Sequence, residues 1–273
     1  MITIRLLKIT DDEHEEFDEF FDETEQIALD QVAPQVVDGV GDVMVGDKSI
    51  SEYDAVFAEI PEKNAVFGRV LLEMIGDQNV AVNYPSTAFF IMAKKNYLYY
   101  VLHEKEIPSP KTASVATEKA ARNIHNYLKG PLIARRLEDL EETEAKKLDS
   151  VEDITGFAEG SEYEEDIMLF HEFNSGDRYR CLVVGDQIVS LKDDSEGWKF
   201  TDDSLNYSNI SDTQEGIVRE AASKIGTDYA EVLLRGEQVF DINPNPDLRM
   251  YTEIGGKNAH EAVASVLKEE IEG

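Results

Sequence analysis

Two oxygen-bearing side chains stand two residues apart in the segment Asp241-Ile242-Asn243. Because side chains alternate along a strand, this spacing places a carboxylate and an amide on one face. Oxygen ligands of this kind suit Mg²⁺, which usually takes few protein ligands together with phosphate oxygens. The same residues also fit the ordinary end of a strand before the proline-containing turn NPNPD, so the spacing leaves both interpretations open.

A second candidate lies in the segment RYRCLVVGDQIVSLK, which carries Arg178, Arg180 and Lys192 on a chain with few basic residues. Two apolar runs joined by Gly-Asp predict two strands and a tight turn. Arginine offers a forked and permanently charged donor, which suits phosphate or carboxylate groups. Together with Lys199, these cations favour an anionic ligand.

The charge of the whole chain limits its partners. Its 273 residues include 57 acidic and 26 basic side chains, for a formal net charge of −31. Such a charge repels phosphate backbones and anionic lipids, so we expect no nucleic-acid and no membrane partner. With 42% hydrophobic residues, the chain is still expected to be globular. The dispersed acidic residues suggest the hypothesis of a protein adapted to the salt-rich cytoplasm of an extreme halophile.

Other residue types give weaker signals. The single cysteine, Cys181, excludes an intrachain disulfide and fits a reducing cytoplasm. The segment MITIRLLKITDDEHEEF lacks a secretion signal, and the apolar runs are too short to span a bilayer. The histidines are scattered, and their spacing gives no indication of a histidine-based metal site or triad: His14, His103, His125, His171 and His260.

Alternating strand and helix patterns predict an α/β fold. In the first half, strands are expected in ITIRLLKI, at 53–60, in NVAVNY and in PLIARRL, with a hairpin at 42–50 and helices at 11–31, 64–75, 88–104 and 114–128. In the second half, strands are expected in IMLFHEF, YRCLVVG, QIVSLKD and QVFDINP, with helices at 213–225 and 259–271.

The segment VFDINPNPDL resembles the metal-binding signature of ATP-grasp ligases. The order of several segments is similar to the RimK-type branch, which includes α-L-glutamate ligase and glutathione-synthetase-like enzymes: VNYPSTAFFIMAKKNYLYYVLHEKEIPSPKT, GPLIARRL, LFHEFNSGDRYRCLVVGDQIV and EVLLRGEQVFDINPNPDL. The resemblance spans about residues 83–271. It implies an N-terminal α/β lobe at 1–85, and central (86–165) and C-terminal (166–273) lobes that clasp a nucleotide.

The resemblance implies a site for ATP. Lys95 matches the lysine that contacts the nucleotide phosphates, and Arg135 stands where a second lysine is expected. Glu172, Phe173 and Asn174 match the hinge that meets adenine, largely through backbone groups.

The resemblance also assigns roles around the ribose and the transferred phosphate. Asp177 lies where an acidic residue near the ribose is expected. Arg180 matches the arginine that neutralises the transferring phosphate. Asp194 stands where a basic residue is common, and Lys192 on the same strand face is the candidate replacement.

For the metal, Asp241 and Asn243 match the ligands of Mg²⁺ (or Mn²⁺). The family's first metal aspartate falls at Leu233, so Glu231, two residues earlier and on the same strand face, is the candidate third ligand.

The main departure from the family lies where a glycine-rich loop usually covers the phosphates. The corresponding segment, LEDLEETEAKKLDSVED, has no glycine before Gly156 and carries eight acidic residues from 138 to 153. Lys146 and Lys147 are the candidate substitutes. Asp247 also replaces the usual glycine of the closing turn.

The resemblance implies an ATP- and Mg²⁺-dependent ligase that joins a carboxylate to an amine through an acylphosphate. Expected partners are ATP, small carboxylate and amine substrates or a peptide or protein C-terminus, and an oligomer is compatible with the sequence. Two alternatives stay open: a catalytically degenerate ATP-grasp nucleotide-binding or regulatory module, and a binding protein whose hairpin holds an acidic ligand.

Overall fold

The computed structural model describes residues 3–138, 141–159 and 167–272. Its strands, labelled in chain order, are β1 (Arg5–Ile9), β2 (Glu23–Ile27), β3 (Val32–Val37), β4 (Val40–Val45), β5 (Lys48–Ser49), β6 (Ala55–Ala58), β7 (Ala81–Val82), β8 (Thr112–Val115), β9 (Leu132–Glu138), β10 (Glu141–Leu148), β11 (Ile167–Glu172), β12 (Arg178–Val184), β13 (Gln187–Asp193), β14 (Leu205–Tyr207), β15 (Tyr229–Arg235) and β16 (Gln238–Asn243).

Helices alternate with these strands along much of the chain. They are α1 (Ala65–Gly76), α2 (Ser86–Ala93), α3 (Lys95–Glu104), α4 (Glu118–Ala121), α5 (Val151–Ala158), α6 (Asp212–Ile225), α7 (Leu248–Gly255) and α8 (Ala259–Glu272). The mixed composition confirms the α/β prediction. None of the helices in the described part of the chain combines the length and the apolar character needed to cross a membrane.

The first sheet is parallel, with strand order β2-β1-β6-β7. Its central strands are covered on both faces, since β6 is buried at all four positions and β1 at four of its five. One cover is α1, which buries Leu71, Leu72 and Ile75 and ends at Gly76, as predicted. Beside this sheet, β3, β4 and β5 form a small antiparallel sheet that contains the expected hairpin.

The predicted helix at 11–31 is wrong. A 3-10 helix spans Glu15–Glu19, the parallel edge strand β2 follows, and a second 3-10 helix spans Leu29–Gln31. The spacing of Phe17 and Phe21 suggested one apolar face of a helix. Both side chains are buried, but Phe17 lies in the 3-10 helix and Phe21 lies in the segment after it. Pairing of β2 with β1 has overridden the local pattern.

The second sheet is antiparallel, with strand order β10-β9-β11-β8. The predicted helix at 114–128 is wrong here, because β8 occupies its start and only the short α4 and a 3-10 turn at Ile124–Asn126 follow. Of the charged segment 137–150, residues 139 and 140 lie outside the described residues, and most of the remainder forms β10.

The third sheet is antiparallel, with strand order β14-β13-β12-β15-β16. It contains the predicted hairpin, β12 and β13, whose turn places Gly185 at a φ of 54°. Helix α6 starts at a capping box on Ser211 and ends at Gly226, close to its predicted bounds. The boundary at residue 165 lies outside the described residues, and the three-lobe division stays a prediction.

The predicted helix at 88–104 is divided in two. Lys94 has non-helical dihedral angles (φ −96°, ψ 83°) and separates α2 from α3. Lys95 therefore starts a new helix, and its side chain is only 5% exposed. The break turns the chain so that this lysine points into the interior toward β16.

Candidate active site

A buried cluster of opposite charges lies where α3, β9 and β16 meet. One oxygen of the Asp241 carboxylate lies 3.0 Å from Lys95 Nζ, and the other lies 2.9 Å from the Arg135 guanidinium. Lys95 also contacts Glu62 Oε1 at 2.8 Å, and Arg135 contacts Glu142. The structure thus brings together three residues that the sequence predicted for nucleotide and metal binding, although they are far apart in the chain.

Desolvation and pairing compete within this cluster. Burial raises the pKa of the Asp241 carboxyl, but Lys95 and Arg135 more than offset that effect and hold the pKa below its usual value. Burial likewise lowers the pKa of Lys95, whereas Asp241 and Glu62 raise it by more. At Glu62 itself burial dominates and raises the pKa. Asp241 is therefore a carboxylate and Lys95 an ammonium group near neutral pH.

The position of Asp241 depends on an irregularity in β16. Leu233 pairs with Asp241 and Leu234 pairs with Val239, so Phe240 is an extra residue, a β-bulge. The Phe240 carbonyl accepts a hydrogen bond from Tyr99 of α3, and the Ile242 carbonyl accepts one from Lys95. These bonds attach the bulged strand to the helix that carries the lysine.

A second polar cluster lies on the same face of the third sheet, around the buried Glu231. Register pairs Glu231 with Asn243, and the asparagine donates to the carboxylate at 3.1 Å. Arg180 approaches Glu231 at 3.2 Å, and Tyr251 donates to it at 2.7 Å. Arg180 also contacts Asp202 at 2.8 Å. Although burial opposes its charge, Glu231 and Asp202 raise the pKa of Arg180.

The predicted hinge connects β11 to β12 and, together with Arg235 and Phe240, lines a small cavity of about 10 Å³. The Glu172 carboxylate accepts a hydrogen bond from the Lys129 backbone amide at 2.9 Å, and the Phe173 backbone amide donates one to the Pro131 carbonyl at 2.9 Å. Asn174 donates to the Arg235 carbonyl at 3.3 Å and accepts from the Gly176 amide at 2.9 Å. These four hydrogen bonds, one between backbone groups and three that involve the side chains of Glu172 and Asn174, hold the hinge.

Arg235 is a site residue that the sequence reasoning missed. Its guanidinium lies over the rings of Phe173, Phe200 and Phe240, at 5.2, 5.5 and 5.2 Å from their centroids. Its Nε atom is buried without a hydrogen-bond partner. Burial lowers the pKa of Arg235 to about 10. The three aromatic residues come from separate segments, so no local motif indicates this arrangement.

Comparisons with known proteins agree with the geometry. The structure superposes on the ATP-grasp ligase PsnB complexed with a minimal precursor, with a TM-score of 0.72 and 14% identity over 99% of both chains. It also superposes on a RimK domain ATP-grasp protein from Sphaerobacter thermophilus (TM-score 0.72, 14% identity, 97% of this chain and 99% of that chain). The chain has the ATP-grasp fold.

A third solved structure with the ATP-grasp fold is the macrocyclase MdnC bound with the precursor peptide MdnA from Microcystis aeruginosa (TM-score 0.69, 14% identity, 97% of this chain and 99% of that chain). At these identities the likeness establishes the fold. No protein-family model matches the chain, and no curated protein matches its sequence.

Two residues that the sequence predicted for nucleotide binding, Asp177 and Lys192, lie near the surface and contact each other. Asp177 is 64% exposed and is 3.6 Å from Lys192 Nζ, which also contacts Asp194 at 3.2 Å. The side chain of Arg178, in contrast to those of Asp177 and Lys192, is buried and points toward the 193–197 loop. It contacts Asp193 at 3.1 Å and donates to the carbonyls of Ser195 and Gly197, so it holds that loop in place.

Of the segment expected to cover the phosphates, residues 141–148 form the strand β10, and residues 139 and 140 lie outside the described residues. Lys147 of β10 lies 4.9 Å from the Phe173 ring centroid, whereas Lys146 pairs with Glu144 at 3.3 Å. Of the two candidate substitutes, Lys147 is therefore the one that contacts a residue of the predicted hinge.

Proposed function

We propose that this protein is an ATP- and Mg²⁺-dependent ligase that forms an amide bond between a carboxylate and an amine through an acylphosphate. The observation that carries the proposal is the buried cluster of Lys95, Arg135 and Asp241. A chain this acidic has few basic residues, and two of them are buried in this one cluster. Burial of a charged group costs desolvation free energy, so this arrangement is more easily explained by a binding role than by stability alone. Cations that converge in the interior suit the charge of a triphosphate.

In this proposal, Lys95 and Arg135 balance the negative charge of the phosphates, exchanging part of their contact with Asp241 for phosphate oxygens. Arg180, in the adjoining cluster, neutralises the transferring phosphoryl group. The hinge at 172–174 orients the base, and Asp177 at the rim accompanies the ribose. Lys192 and Lys147 flank the nucleotide at the edges. Catalysis then depends on positioning and charge neutralisation, without a covalent nucleophile.

The residues proposed for Mg²⁺ have a suitable donor set. Asp241, Asn243 and Glu231 offer carboxylate and amide oxygens, which hard cations prefer. Glu231 and Asn243 already contact each other at 3.1 Å, and the register places Asp241 on the same face. When bound, the ion would neutralise phosphate charge. The protein's own contribution is to hold these three oxygen-bearing groups on one rigid sheet face.

The substrate is proposed by analogy alone. PsnB and MdnC are both described in complex with a precursor or precursor peptide, which supports a peptide acceptor among the possible carboxylates and amines. Lys192 and Lys199 near the rim suit an anionic acceptor such as glutamate or a peptide C-terminus.

A second candidate function is a nucleotide-binding or regulatory module without ligase activity. The residues expected to serve the phosphates favour it, because β10 carries Glu142 and Glu144 where a glycine-rich loop is usual and Leu233 stands where the first metal aspartate is expected. The hinge cavity of about 10 Å³ holds roughly one water and not an adenine base, so nucleotide binding in either candidate requires the hinge to open.

The experiment that separates the candidates is an ADP-release screen in molar KCl with Mg²⁺, using panels of carboxylates, amines and small peptides. Turnover that Lys95→Met abolishes supports the ligase. Calorimetric binding of ATP and Mg²⁺ without ADP release on any panel supports the module. Absence of binding by the wild-type protein refutes both. An Asn206→Ala variant, altered on the exposed edge strand β14, serves as the control and should behave as wild type.

A further inference from the structure

Away from the nucleotide cluster, two buried histidines from opposite ends of the chain face each other. His14 precedes the 3-10 helix at Glu15–Glu19, and His260 lies in the first turn of α8. Their exposures are 6% and 1%, and His14 Nδ1 lies 3.2 Å from His260 Nε2. The sequence spacing gave no sign of this pair, because 246 residues separate the two histidines.

Carboxylates complete the group. Glu16 Oε2 lies 3.8 Å from His260 Nε2, and single ligand atoms of His14, Glu16 and His260 all lie within 4.8 Å of one another. On the far side of the ring, His14 Nε2 lies 2.7 Å from Glu59 Oε2. An Nε2–H donated to Glu59 leaves the Nδ1 lone pair directed at His260. Metal-ligating histidines usually donate the other ring N–H to a carboxylate, a backbone carbonyl or water, and Glu59 is such a partner for His14.

From this geometry we propose that His14 Nδ1, His260 Nε2 and Glu16 form a site for a divalent transition metal of the Zn²⁺ class. In a tetrahedral site with Zn–N distances near 2.0 to 2.1 Å, two nitrogens lie roughly 3.3 Å apart, close to the separation of these rings. Imidazole nitrogen favours Zn²⁺ over Mg²⁺, so this site differs in chemistry from the all-oxygen group on β15 and β16.

The surroundings suit a three-ligand site. Arg249 holds Glu16 at 2.6 Å and so orients one carboxylate. His14 and Glu59 also line a cleft of about 450 Å³ together with Asn245 and Asp247, from which a fourth ligand can approach. The inference is independent of the proposed ligase activity.

The competing explanation for the 3.2 Å approach is a direct hydrogen bond between the rings. Calorimetry with Zn²⁺ on the full chain, in molar KCl and excess Mg²⁺ to occupy surface carboxylates, tests the proposal. We expect one Zn²⁺ per wild-type chain. Glu59→Gln should weaken binding about 10- to 100-fold, as for other carboxylates that orient ligating histidines, and His260→Gln should weaken it more. His103→Gln, at an exposed histidine on α3, is the matched control and should bind as wild type.

A second measurement needs no variant, in case His260→Gln does not fold. Long-range ¹H–¹⁵N spectra of the wild-type imidazoles, recorded with and without Zn²⁺, report which ring nitrogens bind metal. Shifts at His14 Nδ1 and His260 Nε2 support the site. Unchanged resonances at these two nitrogens, or equal affinity in wild type and folded His260→Gln, would overturn the proposal and leave a hydrogen bond only.

Discussion

Asp241→Asn tests the charge cluster most directly. The amide keeps the shape of the carboxylate, but its NH₂ group faces a cation, and Lys95 and Arg135 lose the negative charge at 3.0 and 2.9 Å. Breaking a buried ion pair by removing one partner typically costs about 3 to 5 kcal/mol. Because each cation keeps a second carboxylate, Glu62 or Glu142, we expect a loss near the lower end, about 3 kcal/mol in the free energy of unfolding.

Equilibrium urea denaturation in KCl, followed by ellipticity, measures this loss. Asp177→Asn is the matched control, since its side chain is 64% exposed and its substitution should change stability by less than about 0.5 kcal/mol. Folding lowers the pKa of Asp241, so its contribution is fully present above the usual value of 3.8 and is lost as pH falls through the folded value. The difference in stability between wild type and Asp241→Asn should therefore shrink as pH falls below 3.8. A loss below about 0.5 kcal/mol for Asp241→Asn would refute the cluster as the structure describes it.

Four further predictions follow from features outside that cluster. Burial lowers the pKa of His171 to about 3, from the usual histidine value of 6.5. Below pH 6.5 this histidine should therefore reduce the free energy of unfolding of the wild-type protein by up to about 1.4 kcal/mol per pH unit. Denaturation of His171→Gln at several pH values should lack this contribution. Burial raises the pKa of the Cys181 thiol, so a thiol reagent should label it only at the rate of unfolding, and fast labelling of native protein would contradict its burial. Arg178→Ala should speed hydrogen exchange in the 193–197 loop, whereas Arg219→Ala should leave it unchanged, because Arg178 donates to the carbonyls of that loop and Arg219 contacts Glu215 and Asp186 instead. With a net charge of −31, ellipticity and solubility should rise with KCl concentration, and full folding at low salt with no gain at molar salt would refute halophilic adaptation.

Local sequence patterns predicted the secondary structure correctly where the tertiary packing agrees with the local periodicity. Helix α6 has a capping box at Ser211 and a terminal glycine, and the β12–β13 hairpin has its Gly-Asp turn, so both follow the sequence closely. The failures have tertiary causes. At 11–31 the pairing of β2 with β1 overrides a helical spacing of phenylalanines. At Lys94 a single non-helical residue divides an otherwise helical run.

The candidate site divides in the same way. The resemblance to ATP-grasp ligases was enough to identify Lys95, Arg135 and Asp241 as candidates. The structure brings these three residues together. Glu62 and Arg235 were not, because their partners come from segments distant in sequence and no spacing rule connects them. The roles of all site residues in nucleotide and metal binding stay predictions.

The bulge at Phe240 has a consequence for how this strand can change during evolution. Leu234 pairs with Val239 and Leu233 pairs with Asp241, so removing the extra residue Phe240 would leave a regular ladder in which Asp241 keeps its partner and its face of the sheet. The deletion would instead remove the Phe240 carbonyl that accepts the hydrogen bond from Tyr99, and with it one of the two bonds that attach β16 to α3. Related chains can therefore lose this residue without turning the aspartate away from the lysine, provided that Asp241 stays opposite Leu233.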